Sequence, residues 1–409
     1  MNWDFREVNT KHATHGFHTY PAMLVPQIAE ELISLYGKRA ELLFDPFCGT
    51  GTTLVEANLK GINAIGTDIN PLARLISRAK TTMIKQQTLD LYLKDFYDYL
   101  FAFRLGFTKK DSVVIPKFTN IQFWFSRNVI ADLAVIKKYI NGLKEETIKD
   151  FFKVVFSQTI RECSLTRKNE FKLYKMDKEK LKTFKPDVFS IFEKVLARNR
   201  NALIEYSKQK ASKAYSDVKD FNSVHCIPKE ILGAHSVNLI ITSPPYGDSQ
   251  TTVAYGQFSR LANQWLDCGE AYNLDSKLMG GRKAEMLETF SCPTLDRSIS
   301  RLKNLDVGRC KDVISFYKDY RRSIINTSKV LKRKGIACYI VSNRCVKGVT
   351  LRTDRITQDF FEQVGLTHIE TIERRISNKR MPRKNSPGGV AGETKALMNK
   401  EYIVVMQKK

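Results

Sequence analysis

The 409-residue sequence contains no apolar run of the roughly 18 residues that a membrane-crossing helix needs, so no spanning segment is expected. Its start, Met1-Asn2-Trp3-Asp4-Phe5-Arg6-Glu7, lacks the basic-then-apolar layout of a secretory leader, and the expected location is the cytoplasm. Cys-x-x-Cys is absent. The 8 cysteines are scattered, several among apolar neighbours, which excludes the common thiolate-metal and redox motifs and points to reduced, structural cysteine. His12, His15 and His18 recur at every third position, but no cysteine or carboxylate stands near them at ligand spacing, so no metal site is expected. Acidic residues are also scarce: 43 Asp+Glu face 67 Lys+Arg, a net charge of +24. Such an excess suits a polyanionic partner bound by counterion release. No strongly amphipathic basic helix points to a membrane surface, so nucleic acid is the favoured partner.

A hydrophobic content of 43% supports a sizeable core, and the length allows one large domain with insertions or two to three ordinary ones. A helix is expected near 26–36, then a strand at 41–44, a Gly-rich turn at 45–52, a helix at 53–59, a strand at 64–67 and a helix at 71–80. Strands and helices alternating at this size argue for a parallel sheet. Helical periodicity then dominates, with lysine dense from Lys172 onward. Strand character returns at 213–216 and 236–241, and 247–311 reads as irregular. A helix at 313–330, a strand at 336–341, a helix at 355–364, a strand at 368–372, a basic loop at 374–392 and a strand at 401–406 complete the chain. The expected division is 1–82, a helical basic insertion at 83–211, and 212–409 carrying a second insertion at 247–311.

The first chemical signal is Asp45-Pro46-Phe47-Cys48-Gly49-Thr50-Gly51-Thr52-Thr53, set between a strand and a helix. Its glycines let the backbone turn tightly and approach a ligand, and the helix start behind them offers unpaired N–H groups. No third glycine completes the dinucleotide fingerprint, and no Gly-Lys-Ser/Thr follows as in a nucleoside-triphosphate loop. The second signal is Ser243-Pro244-Pro245-Tyr246, at the carboxyl end of an apolar strand, where α/β sheets place ligands. An exocyclic base amine is a poor nucleophile because its lone pair is delocalised into the ring. Hydrogen bonds accepted from its protons push electron density back to nitrogen. A serine hydroxyl and the Pro244 carbonyl are suitable acceptors, two prolines fix that carbonyl's direction, and Tyr246 offers a face for stacking the base.

Together the two strings resemble the DNA amino-methyltransferases, whose first motif contains Asp-Pro-Phe-x-Gly-x-Gly-Thr-Thr. The resemblance implies a Rossmann-like, seven-stranded methyltransferase sheet and S-adenosylmethionine as donor. It assigns Asp45 to the donor's amino group and Phe47 to packing on it, with Pro46, Cys48, Gly49, Gly51, Thr52 and Thr53 completing the loop. Asp68, with Ile69 beside it, ends the second strand, where an acid accepts ribose hydroxyls. Asp217, with Val218, is placed near the donor adenine, with Asp220 as a competitor. His15-Gly-Phe-His-Thr-Tyr-Pro-Ala22 resembles the family segment that closes over the donor, which adds Tyr20 and Pro21. Ser243, Pro244, Pro245 and Tyr246 are the expected catalytic residues. In this family a leading Ser is usual for cytosine N4, and Asp or Asn for adenine N6; Asn-Pro-Pro-Tyr also occurs in protein-glutamine methyltransferases. Cytosine C5 chemistry needs a Pro-Cys pair, which is absent.

The implied partner is double-stranded DNA in a prokaryotic cell, with a cognate restriction endonuclease as a functional counterpart. DNA contact is expected from Arg167 and Lys172 in the helical insertion, from Tyr255 and Arg260 after the acceptor turn, and from Arg375, Lys379 and Arg380 in the basic loop. An adenine-directed enzyme, a protein or RNA methyltransferase, and a non-enzymatic DNA-binding protein on the same scaffold remain open at this point. The donor loop precedes the acceptor motif here, whereas Asp-Pro-Phe loops often belong to enzymes with the opposite order.

Overall fold

The computed structural model describes residues 3–107, 113–168, 170–211, 213–248, 252–269, 271–376 and 400–409, with the backbone of 384–385 and 395–396. Two of the residues expected to meet DNA, Lys379 and Arg380, lie outside the described residues.

The chain opens into helix α1 (Pro26–Tyr36), whose first position is a proline already bent to a helical φ. A βαβα unit follows: β1 (Leu42–Asp45), α2 (Thr52–Leu59), β2 (Asn63–Thr67) and α3 (Pro71–Thr81). Asn70 starts α3 by accepting a hydrogen bond from the Leu72 amide at 3.1 Å, with Pro71 behind it. Four long helices come next: α4 (Gln86–Arg104), α5 (Arg127–Gly142), α6 (Glu146–Cys163) and α7 (Val188–Gln209). Then come β3 (Ser216–Lys219), β4 (Val237–Thr242), α8 (Tyr255–Trp265), α9 (Pro293–Leu305), α10 (Val307–Val330), β5 (Leu331–Val341), α11 (Thr353–Glu362), β6 (Leu366–Arg375) and β7 (Lys400–Lys408). A short hairpin, Arg344–Val346 with Val349–Leu351, follows β5.

The main sheet has seven strands in the order β3-β2-β1-β4-β5-β7-β6. Its members from β3 to β5 pair in parallel, and β7 runs antiparallel between β5 and β6. This is a Rossmann-like methyltransferase sheet. The strand order reverses between β1 and β4, the switch point where such sheets open a crevice.

Strand residues alternate between two cores, as the period of two requires. Leu43, Leu239, Ile241, Ile340 and Val405 pack with Ile28, Leu32 and Leu54 from α1 and α2. Phe44, Ile240, Tyr339 and Val404 face Tyr320, Ile324, Ile356 and Phe361 from α10 and α11. A third core holds the helical segment together and reaches beyond it: α4 to α7 share one buried cluster with Phe17, Val55 of α2, Ile76 of α3, and Phe258 and Trp265 of α8.

Several expected elements move. Residues 247–311, read as irregular, hold α8, α9 and the start of α10. Phe258, Leu261, Ala262 and Trp265 recur at helical spacing and are buried. Leu295, Ile299 and Leu302 do the same for α9, after Pro293 at its start. Asp306 caps α10 by accepting from the Arg309 amide at 2.9 Å, so that helix begins ahead of 313. The third strand occupies Ser216–Lys219 rather than 213–216. Arg374 and Arg375 belong to β6 instead of a loop.

Candidate active site

A cavity opens at the carboxyl ends of β1, β2 and β4, walled by the Asp45–Thr53 loop, Asp68–Asn70, Phe221–Val224, Tyr20–Leu24, Tyr255, Ser243 and Pro245. Asp45 ends β1 and is buried. Its Oδ1 accepts from the Thr242 hydroxyl at 2.6 Å and from the Phe47 amide at 3.1 Å. Burial pushes its carboxyl up to about 6, against those hydrogen bonds. Asp68 accepts from the Gly49 amide on Oδ2 at 3.1 Å and from the Asn70 amide on Oδ1 at 2.7 Å. Burial raises its pKa as well. The loop between the two acids is therefore tied to both strand ends, and the Cys48 amide adds a bond to the Thr67 carbonyl at 3.0 Å.

The two loop glycines do different jobs. Gly51 (φ +77°) faces α3, where a Cβ would fall 2.3 Å from Ser77 Oγ. Gly49 (φ +49°) lines the cavity, and a Cβ there would meet nothing within 4 Å. Gly51 thus lets α2 sit against α3, while Gly49 keeps an open cradle. On the opposite side Tyr20 stacks on Tyr255 (centroids 6.0 Å, 24° between planes), and its hydroxyl accepts from Asn70 Nδ2 at 2.8 Å.

Ser243 and Pro245 line the same cavity, so the two sequence signals meet in space. Pro244 is buried beneath them, outside the lining. Tyr246 also lies outside the lining: its hydroxyl sits 3.2 Å from Ser243 Oγ and 2.9 Å from Glu401 Oε1. Burial, and then the Glu401 charge, hold that hydroxyl well above its ordinary pKa. The chain leaving Tyr246 is anchored by the buried pair of Asp248 and Arg344 at 2.8 Å.

The structure brings Tyr20, Pro21, Asp45, Pro46, Phe47, Cys48, Gly49, Thr52, Thr53, Asp68 and Ile69 to the cavity. It does not bring Asp217 and Val218. Because β3 starts at Ser216, both are inside the strand rather than past its end, and Asp217 pairs with Lys219 at 2.7 Å. Asp220 is turned to Arg74 at 2.6 Å. The adjoining wall is Phe221–Val224, which sequence reasoning missed. Phe221 is drawn in by its amide bond to Thr67 Oγ1 at 3.2 Å and by stacking on Phe44 at 6.3 Å. Leu278 and Met279 also line the cavity, and no sequence motif marks them.

Of the residues expected to meet DNA, Tyr255 stands in the cavity wall. Arg260 packs over Tyr272, its guanidinium carbon 5.7 Å from the ring centre. Arg167 is engaged by Glu170 and Asp177, and Lys172 is half-buried. Arg375 is exposed at the end of β6, its amide bonded to Asp4. The histidine run acquires a carboxylate partner that spacing did not reveal. His12 Nε2 and His15 Nε2 lie 2.9 and 2.7 Å from the same Glu56 oxygen, and the three residues form a group that a metal ion could join. Imidazole-to-carboxylate hydrogen bonds already account for the cluster. His18 turns away to the Thr19 carbonyl at 2.6 Å.

Comparison with known proteins agrees with this geometry. Residues 1–78 match the family model of the N6/N4 methyltransferases, described as DNA methylase. The chain is 37% identical to the Type II methyltransferase M.MvaI of Kocuria varians across 98% of its own length and 93% of that protein. It is 33% identical to the Type II methyltransferase M.MjaII of Methanocaldococcus jannaschii over 30% of this chain and 25% of that one. With M.BsoBI of Geobacillus stearothermophilus, also a Type II methyltransferase, it shares 24% identity over 59% of this chain and 50% of that one. A sheet of methyltransferase order, a donor-type loop facing Ser-Pro-Pro-Tyr across one cavity, and a relative matched almost end to end lead to one conclusion: the chain belongs to the S-adenosylmethionine-dependent DNA amino-methyltransferase family.

Proposed function

We propose that this protein methylates the N4 amine of a cytosine flipped out of duplex DNA, at specific sites, as the modification enzyme of a restriction–modification system. The observation that carries the choice of amine is Ser243, a neutral hydroxyl at the cavity edge beside Pro245, in the position where the Ser-led motif is usual for cytosine enzymes.

The residues present fit the donor. Asp45 offers a carboxylate to its ammonium group and Asp68 to its ribose hydroxyls, while Phe47 and Val224 supply apolar wall and Gly49 leaves the cradle clear. When bound there, S-adenosylmethionine supplies an activated methyl group. The chain's own contribution is mainly position. The Ser243 hydroxyl in the cavity lining accepts an amine proton; Pro244 and Tyr246, which stand outside that lining, take their roles as second acceptor and stacking ring from the motif. Extruding a base takes roughly a few kcal/mol, and stacking on an aromatic ring returns about 1–3 kcal/mol. The net charge of +24 supplies the attraction to phosphates. The Type II standing of its relatives supports the restriction–modification context.

The test is direct. The protein is incubated with labelled S-adenosylmethionine and unmethylated DNA, and the digested nucleosides are identified by mass. N4-methylcytosine is the expected product. N6-methyladenine overturns the choice of base, and DNA without label overturns the assignment of a DNA-methylating activity.

A further inference from the structure

Tyr246 is placed by its motif as a surface for the base, yet its hydroxyl is the centre of a polar chain that the motif does not contain. Glu401 is the second residue of β7, opposite Arg374 of β6 in the register of the sheet. Arg374 is almost fully buried. Its Nε donates to the Trp3 carbonyl at 2.9 Å and its Nη2 to the Asp4 carbonyl at 3.4 Å, and its Nη1 is ion-paired with Glu401 Oε2. Because β7 runs against the parallel strands, its first residues lie at the same sheet edge as the ends of β4 and β5. The second oxygen, Glu401 Oε1, is thereby held 2.9 Å from the Tyr246 hydroxyl.

Counting protons fixes the direction of every bond in this chain. A carboxylate paired with a guanidinium accepts only, so Tyr246 must give its single hydroxyl proton to Glu401. Tyr246 then has none to offer Ser243, 3.2 Å away, so the Ser243 hydroxyl must donate to Tyr246. That uses the only proton Ser243 has. Its lone pairs are left for whatever occupies the cavity. An unconstrained serine hydroxyl has three staggered positions, and in one facing the cavity it would set its proton against an N–H.

We infer that Glu401, acting through the Tyr246 hydroxyl, is a positioning residue that locks Ser243 as a hydrogen-bond acceptor towards the target amine; this rests on the reading of Ser243 as an amine acceptor. The relay also explains why a tyrosine is useful here beyond its ring. A phenylalanine would stack equally well but would release the serine rotor.

Two substitutions separate this role from simple support. In Tyr246→Phe the ring stays and the lock is lost; with one of the three staggered positions aimed at the amine, kcat falls by no more than about twofold. In Glu401→Gln the shape stays but only one oxygen remains. Arg374 claims it, the amide NH2 turns to Tyr246, and every bond in the chain reverses, aiming the Ser243 proton into the cavity. The isosteric change is therefore expected to be the more harmful one, lowering kcat by roughly 10- to 100-fold, with KM for DNA and donor unchanged within about twofold. In a Ser243→Ala background, Glu401→Gln should add nothing further. Single-turnover methyl transfer on unmethylated DNA, with donor and DNA affinities measured in parallel, reads all four proteins. A Glu401→Gln enzyme with unchanged kcat, or a loss that adds in full to that of Ser243→Ala, overturns the relay. An unaltered kcat in Ser243→Ala alone overturns the acceptor reading itself, and the relay with it.

Discussion

Exchanging Gly51 for alanine tests whether the donor loop is built by steric fit. A Cβ at this position would lie 2.3 Å from Ser77 Oγ, 3.0 Å from its Cβ and 3.1 Å from its Cα, so the contact is with the body of α3 and not with a mobile tip. The backbone there has φ +77°, where an L side chain costs about 1–2 kcal/mol. Forcing a methyl into packed surroundings costs about 1–3 kcal/mol more. The expected destabilisation is therefore about 2–5 kcal/mol, a large share of a typical domain's stability but not all of it. Gly49→Ala is the internal control. It carries similar backbone strain (φ +49°) but meets no atom within 4 Å, so it should cost only about 1–2 kcal/mol. Its methyl group would instead stand in the donor cradle and weaken donor binding. Urea unfolding and calorimetric titration with S-adenosylmethionine measure the two effects. Ser77→Ala, which deletes the oxygen at the tightest contact, should recover part of the stability lost in Gly51→Ala. If Gly51→Ala unfolds no more easily than Gly49→Ala, or Gly49→Ala binds the donor as well as the unaltered protein, the division of labour between the glycines is wrong.

Two further outcomes follow from the buried charges. Asp45 titrates at about 6 against an ordinary 3.8, so between those values the folded protein holds a proton that the unfolded chain does not. This group accordingly favours folding more as pH falls through that window, while donor affinity should decline about tenfold per unit below about 6 if the ionised form holds the donor's ammonium as proposed; Asp45→Asn should bind weakly and lose that pH dependence in titration calorimetry. Glu56 receives His12 and His15; burial pushes its carboxyl up, but their hydrogen bonds hold it below the ordinary value. Burial pushes the His15 imidazole down to about 4, so at neutral pH Glu56→Ala strands a neutral ring and not a buried charge, and should destabilise by roughly 1–3 kcal/mol in urea; because the Glu56 bond raises the His12 pKa, the stability that His12 contributes below its ordinary value of 6.5 should be lost as pH rises through the raised one.

The sheet and both motifs were legible in the sequence because each rests on short-range rules. Short apolar runs marked β1 and β4, an alternating run marked β6, and the loop glycines and the proline pair announced conformations that few residues adopt. What escaped depends on register and on distant partners. A displacement of β3 along the chain moved Asp217 from the strand's end into its interior, next to Lys219, and brought Phe221 to the wall in its place. The Glu56 carboxylate reaches His15 across 41 residues, and Glu401 reaches Tyr246 across 155. Neither separation leaves a pattern in one sequence. The helices α8 and α9 are a different case: their apolar spacing was present, and the flanking glycines and charges hid it.

Arg374 has a consequence for how this protein is handled. Two of its bonds go to the carbonyls of Trp3 and Asp4, within the first handful of residues of the chain. Trimming those residues, or appending a tag that lifts them from the sheet, strips two acceptors from a buried guanidinium, which must then shift its weight onto Glu401. The backbone at Trp3 and Asp4 is here one of the fixed points of the sheet end that carries Glu401.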